Sequence, residues 1–269
     1  MGEDNPYEVI PMPSAYAHLR FAGEVIPAVP PKYRAIVKNL TRLYNAGSQG
    51  PDPLFYYNPL MANRVEKQGY ACHAMTGAAF FEEALAKYRA LPSEGFAAYL
   101  FGVLTHYCLD SRCHPLINAA TEEANLDHME LETEFDRFLL QKDGKLPPHL
   151  QSYYKDIHLT RGERATAAAL YTDLSPAAFG WCIRNLANVH HVATSRNRRF
   201  AKRLLGLGGR KGRAFLMTVG PNPLYAHLDQ PILDAYENAL ADFPAMAAQL
   251  ADTLCSNAPL GPEFTPTFG

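Results

Sequence analysis

The chain has 269 residues, of which 48% are hydrophobic and 19% charged, and its formal net charge is −2 at pH 7. That composition supports one sizeable core and excludes a disordered or fibrous chain. The near-balance of charge gives no global attraction to nucleic acid or a membrane, and no apolar run approaches the ~20 residues that cross a bilayer.

Residues 1–12 form an N-terminal extension ahead of the first informative segment. From there the pattern is helical, with apolar residues at helical spacing over 30–44, 70–90, 94–112, 121–141, 163–172, 176–205 and 229–255. Pro30-Pro31 suits a helix start, because first-turn amides have no intrahelical acceptor to lose. Asn45–Pro59, rich in Gly and Pro, reads as a long loop, and Ser93-Glu94 opens the next helix. Pro115 disfavours helix at His114 and is expected to end that helix. Asp143-Gly144 and two prolines make Lys142–Pro148 a turn, and Ser175-Pro176 is an N-cap followed by Pro at the first helical position. Alternating β-branched runs are nearly absent, so no sheet of consequence is expected. Residues 257–269 hold Pro259, Pro262 and Pro266 and read as an extended tail over the surface. The expectation is all-α: a single multi-helix domain over residues 13–256.

Met1–Ile10 is acidic and polar, without the basic start and apolar stretch of a secretory signal. Cys72, Cys108, Cys113, Cys182 and Cys255 are an odd number without framework spacing, which reads as unpaired thiols in a reducing compartment. A cytoplasmic location is expected.

The chemistry concentrates in two segments. Thr105–Pro115 places His106, Asp110 and His114 at i, i+4 and i+8, so His106 and Asp110 share a helix face. Asn125–Arg137 places His128 and Glu132 at i, i+4, with Asp136 a turn further. Imidazole nitrogen and carboxylate oxygen are ligands that zinc accepts, and helical bundles build multi-metal sites from such inward pairs. One pair alone is common on any helix surface; two pairs and an extra His within thirty residues point to metal. His73 lies among small and apolar residues, where a core histidine bonded to a carbonyl is the ordinary reading. Asp52 lies in Gly-Pro-Asp-Pro, which is ordinary turn chemistry. His18 alone carries no signal.

In this order, His18, Asp52 in Gly-Pro-Asp-Pro, His73, His106-x₃-Asp110 with His114, and His128-x₃-Glu132 resemble the zinc-dependent phospholipase C family. That family is related to the bacterial phosphatidylcholine-hydrolysing phospholipases C, the clostridial alpha-toxins and the S1/P1 nucleases. The resemblance covers residues 11–140; beyond, only the helical character agrees. It implies an all-α fold of the phospholipase C/P1 nuclease type around three zinc ions. Asp52, His73, His106 and Asp110 would hold the first, and His114, His128 and Glu132 the second. His18 would serve the third, with Asp110 bridging first and third. In secreted members the mature N-terminal residue completes the third site. Here the motif starts about a dozen residues in, so two zinc ions are expected with full ligand sets and the third with only His18 and Asp110.

Clustered zinc suits phosphate-ester hydrolysis, since it polarises phosphoryl oxygens and acidifies a bound water. Asp52 would act as metal ligand, as general base, or as both. The expected substrate is a phosphate ester of the phospholipid type, with transient contact to a membrane surface and no stable nucleic-acid partner. A nuclease or nucleotidase on the same scaffold, and a non-catalytic metal-binding protein, are the alternatives. Phe55, Tyr56 and Tyr57 beside Asp52 would line a pocket or belong to the core. Between Leu174 and Leu228 there is no acid, while Arg184, Arg196, Arg198, Arg199, Lys202, Arg203, Arg210, Lys211 and Arg213 fall there. This stretch is either a solvated face or a guide for an anionic substrate or surface. Of the adjacent His190 and His191, at most one should face a site, because neighbours on a helix point about 100° apart.

Overall fold

The computed structural model describes residues 15–58, 61–256 and 258–269. The extension over residues 1–12 lies outside them. The helices are α1 (Ala15–Val25), α2 (Pro31–Asn39), α3 (Thr41–Gly47), α4 (Arg64–Ala74), α5 (Gly77–Ala90) and α6 (Glu94–Ala124). They continue as α7 (His128–Lys142), α8 (Arg161–Ala168), α9 (Pro176–Ala193), α10 (Arg198–Leu205), α11 (Gly209–Ala214) and α12 (Asp229–Cys255). Among the described residues the only β pairing is an isolated bridge between Thr76 and Thr267. No helix among them is long and apolar enough to cross a membrane.

Helix α6 is the axis of the molecule. It packs against α1, α2, α3 and α12, and its buried side chains include Phe101, Leu104, Tyr107 and Cys108. Ser93 caps it, its hydroxyl accepting the Phe96 amide at 3.1 Å. The helix does not end at His114 but runs through Pro115 to a left-handed Asn125. A proline there removes one helical hydrogen bond. Cys113 and Ile117, buried in the core on either side, keep the helix going.

Glycine sets the closest helix contact. A Cβ on Gly47 of α3 would lie 2.3 Å from the Tyr99 carbonyl of α6, and one on Gly102 would lie 2.2 Å from the Tyr44 carbonyl. Only glycine at both positions lets the two backbones approach this closely.

Several expected helices are divided. The 30–44 segment splits into α2 and α3 at Leu40, and 176–205 splits at 194–197, where Asn197 caps α10 through the Phe200 amide at 3.1 Å. The 121–141 segment splits at 125–127. The 70–90 segment breaks at Met75 for a long-range reason: the Gly77 amide donates to the Pro266 carbonyl at 2.8 Å, so the tail sits in the break. By contrast, α12 spans the 229–255 of the sequence reading, and the Ser175-Pro176 start of α9 holds. Helix α1 lies outside the segments expected to be helical, although its buried His18, Phe21, Ala22 and Val25 follow helical spacing.

The tail differs most from its expected surface path. Phe264 and Phe268 are both fully buried. Phe268 packs at 4.8 Å from Phe80 and 5.0 Å from Tyr107 between ring centroids, and the Tyr107 hydroxyl donates to the carbonyls of Glu263 and Pro266 at 3.1 and 3.0 Å. Proline made this segment irregular; its two phenylalanines drew it inward.

Candidate metal centre

Five elements bring eight imidazole and carboxylate side chains together. Helix α6 supplies His106, Asp110 and His114 along one face, and a 3-10 turn over Asp52–Tyr56 supplies Asp52. His73 lies in the last turn of α4, His18 in α1, and His128 and Glu132 in the first turns of α7. All are buried except His128, which is partly so.

Each element is held by a specific contact. Gly50 has φ +50°, and a Cβ there would lie 2.2 Å from the His106 ring, so the backbone of the Asp52 loop rests directly on that imidazole. The Tyr171 hydroxyl donates to the Gly50 carbonyl at 2.7 Å and fixes the loop from the other side. The carboxylate of Asp136 accepts the amides of Tyr16 and Ala17 at 3.1 and 2.8 Å, neutralising the start of α1 two residues before His18. Asp127 caps α7 through the Glu130 amide at 3.1 Å and so sets His128 at the first helical position.

Three groups of donor atoms result, each with its members within 4.8 Å of one another: Asp52 with His73 and His106; His18 with His106 and Asp110; and His114 with His128 and Glu132. In the first, His73 Nε2 is 3.1 Å from Asp52 Oδ1 and His106 Nε2 is 3.9 Å from it. Asp110 faces two ways, with Oδ1 3.3 Å from His18 Nε2 and Oδ2 2.9 Å from His106 Nε2. In the third, Glu132 Oε1 is 3.1 Å from His128 Nε2 and 3.5 Å from His114 Nε2. His18 and His106 stack at 4.3 Å between centroids.

Tautomers follow from the carbonyls behind the rings. A carbonyl only accepts, so His73 Nδ1 donates to Gly69 at 2.9 Å and His114 Nδ1 donates to Phe268 at 3.1 Å. Each leaves Nε2 facing the other donors, the arrangement of a metal-ligating histidine. The Phe268 contact is absent from any sequence pattern: it joins residues 154 positions apart.

Electrostatics separate the groups. Burial, with His106 as a like-charged neighbour, pushes His18 down to about 3. Burial likewise takes His106 down to about 4, so both rings are neutral. His114 is also penalised by burial, but the carboxylates of Asp110 and Glu132 outweigh this and raise it to about 9. Glu132 pays a burial penalty too, yet His128 and His114 draw it down to about 2. Burial raises Asp52 against the pull of His106 and His73. His73, despite burial, is raised by the adjacent Asp52 carboxylate.

The donor atoms themselves test the fit to a cation. Asp52 Oδ1, His73 Nε2, His106 Nε2, Asp110 Oδ2, His114 Nε2 and Glu132 Oε2 are buried without a well-formed hydrogen bond. Leaving one such polar group buried and unsatisfied costs about 1–3 kcal/mol. Six converging in one place are what a divalent cation would compensate, and an imidazole-carboxylate set fits zinc.

Other residues singled out in the sequence fall outside these groups. His190 is buried against Tyr153 and Phe215, and His191 Nδ1 pairs with the Tyr154 hydroxyl at 2.9 Å. Glu130 accepts the Tyr225 hydroxyl at 2.8 Å. Tyr57 is partly buried against the core, whereas Phe55 and Tyr56 line an apolar cavity of about 280 Å³ with Tyr70, Met129, Val189 and Phe215. The cavity adjoins the donors, since Phe55 lies 5.5 Å from the His73 ring and Met129 follows His128. The Tyr56 hydroxyl is buried there without a partner and, through burial and the charges of Asp52 and Glu132, keeps its proton well beyond neutral pH.

A family model described as zinc dependent phospholipase C matches residues 17–183. The match spans more than half of the chain and all eight donors, and the chain belongs to the zinc-dependent phospholipase C family. No curated protein and no solved structure matches it. Residues 184–269, with the basic stretch and the tail, lie beyond the matched region.

Proposed function

We infer that this protein is a zinc-dependent phosphodiester hydrolase of the phospholipase C kind, in which water attacks phosphorus and a diacylglycerol-like alcohol leaves. The observation that supports this reading is the convergence of six buried donor atoms without well-formed hydrogen bonds. In the proposed assignment, Asp52, His73 and His106 hold one zinc, with Asp110 beside them. His114, His128 and Glu132 hold a second. His18 and Asp110 serve the third, where Asp110 presents one oxygen to His18 and the other to His106.

Zinc bound there supplies Lewis acidity toward the phosphoryl oxygens and a water acidified toward neutrality. The chain's own residues do the rest. Asp52 Oδ1 faces His73 and His106, which suits a ligand, and its second oxygen is the acceptor we assign for the proton of the attacking water. Tyr56 keeps its proton and has no acceptor in the protein, so its hydroxyl is suited to donate to a phosphoryl oxygen of bound substrate. Phe55, Met129 and Phe215 exclude water beside it.

The apolar cavity favours a lipid over a nucleotide as the organic part of the substrate. Zinc-loaded protein assayed against a phosphatidylcholine analogue, single-stranded nucleic acid and a small soluble phosphodiester is expected to prefer the lipid analogue. Preferential cleavage of nucleic acid would replace this reading with a nuclease, and inertness toward all three with a metal-binding role. Five cysteines without a disulfide support a reducing, cytoplasmic setting.

A further inference from the structure

The acid-free stretch gathers its cations around one small element. Helix α10, the turn Gly206–Gly208 and α11 form a hairpin next to the cavity. Phe200 and Leu204 are one helical turn apart, and Leu207 lies on the turn after them; they are 51%, 41% and 76% exposed. Exposed apolar side chains scattered singly are ordinary, but three in register on one face of an eight-residue helix and its following turn are not.

The cations divide into two kinds. Arg198 serves the fold, donating to the carbonyls of Ala193 and Met217 at 2.8 and 2.7 Å. Arg210 pairs with Asp127 at 2.7 Å. Arg199, Lys202, Arg203, Lys211 and Arg213 are exposed and have no ion pair among the described residues. They flank the apolar side chains along the chain, and the stretch between Leu174 and Leu228 supplies no carboxylate of its own to pair with them.

We propose that the α10–α11 hairpin is a docking element for an anionic lipid bilayer: Phe200, Leu204 and Leu207 enter the headgroup boundary while the five cations meet lipid phosphates. Charge complementarity and the interleaving of apolar with basic side chains are the signature of an interfacial helix. A nucleic acid would use the cations but leave Leu204 and Leu207 without a role. Leu204 and Leu207 also line the apolar cavity beside the metal centre, where Lys211 and Glu66 are the charged residues of its lining, so the apolar face of the hairpin continues into that cavity. The Arg210–Asp127 pair ties the hairpin to the cap of α7, one residue before His128.

The purpose of this docking rests on the phospholipase reading, but binding is measured separately from catalysis. Zinc-loaded protein is co-sedimented with phosphatidylcholine vesicles, with and without phosphatidylglycerol, and hydrolysis of a small soluble phosphodiester is followed in parallel. Binding is expected to the anionic vesicles, to weaken with salt, and to fall at least about tenfold in R199E/K202E/R203E and in F200D. Soluble hydrolysis and melting temperature are expected to be unchanged in both variants, whose positions are exposed and outside the metal centre. Equal binding of wild type and both variants to anionic vesicles, absence of vesicle binding by wild type, or charge-dependent binding to single-stranded nucleic acid alone would overturn the proposal. Vesicle binding without any hydrolysis would leave docking intact and remove the enzymatic reading instead.

Discussion

His114 Nδ1 donates to the carbonyl of Phe268 at 3.1 Å, so a residue near the last in the sequence orients an imidazole in the middle of α6. The ring of Phe268 anchors that carbonyl: it is fully buried and lies 6.1 Å from His73 and 6.0 Å from His106 between centroids. Loss of a partner behind a metal-ligating histidine typically weakens metal binding about 10–100-fold. Deletion of residues 262–269, or Phe268→Ala, is therefore expected to weaken zinc at the His114–His128–Glu132 group by about that factor in a chelator competition. Unchanged zinc affinity in both would show the tail to be mere covering.

Gly50 rests on His106, and its φ of +50° is in the left-handed region. Gly50→Ala is expected to cost about 1–2 kcal/mol from the backbone alone. Its Cβ would also displace the imidazole, so zinc at the Asp52–His73–His106 group should fall with the melting temperature. A variant that melts lower yet retains all its zinc would place Gly50 in the fold only.

Asp136 receives two amides of α1 on its two oxygens. Asn in its place keeps one acceptor and loses the charge. Asp136→Asn should cost about 1 kcal/mol and loosen α1, lowering zinc uptake at His18 and Asp110 while the His114 group keeps its affinity. Metal titration resolves the sites, and a uniform loss across all of them would contradict a local role.

Asp229 gives a pH dependence away from the metal. It lies in a buried cluster where Arg137 pairs with Glu134 at 2.7 Å and reaches Asp229 only at 3.7 Å. Burial first, then the Glu134 charge, raise Asp229 to about 7, against the pull of Arg137. The unfolded value is about 3.9, so between these pH values the native state holds a proton that the unfolded state lacks. Stability contributed by this group therefore falls as pH rises from about 4 to about 7 and stays low above that. Asp229→Asn removes the dependence, and at equal zinc loading its advantage over wild type should be larger at pH 8 than at pH 5. An advantage independent of pH would mean that Asp229 is ionised throughout.

The sequence carries the local part of this architecture and little of the long-range part. His106, Asp110 and His114 share a face because their spacing follows the helical repeat, and the Ser93 and Ser175 caps are readable because capping is a contact between near neighbours. The extent of α12 is readable from the helical spacing of its apolar residues. Pro115 misleads, because its local preference is overridden by burial of the flanking side chains. His18 looks meaningless until α1 is docked by Asp136, a contact across about 120 residues. The tail misleads most: its prolines describe the backbone, but its position is decided by where Phe264 and Phe268 are buried.

Zinc stoichiometry tests the central claim most directly. Purified protein reloaded with zinc and freed of excess is expected to hold at least two equivalents by elemental analysis. His128→Ala should lose one of them, and His106→Ala at least one, with the pair combined retaining almost none. Wild type that binds no zinc, or a double variant that keeps the wild-type content, would contradict the assignment of these buried donors to a metal centre.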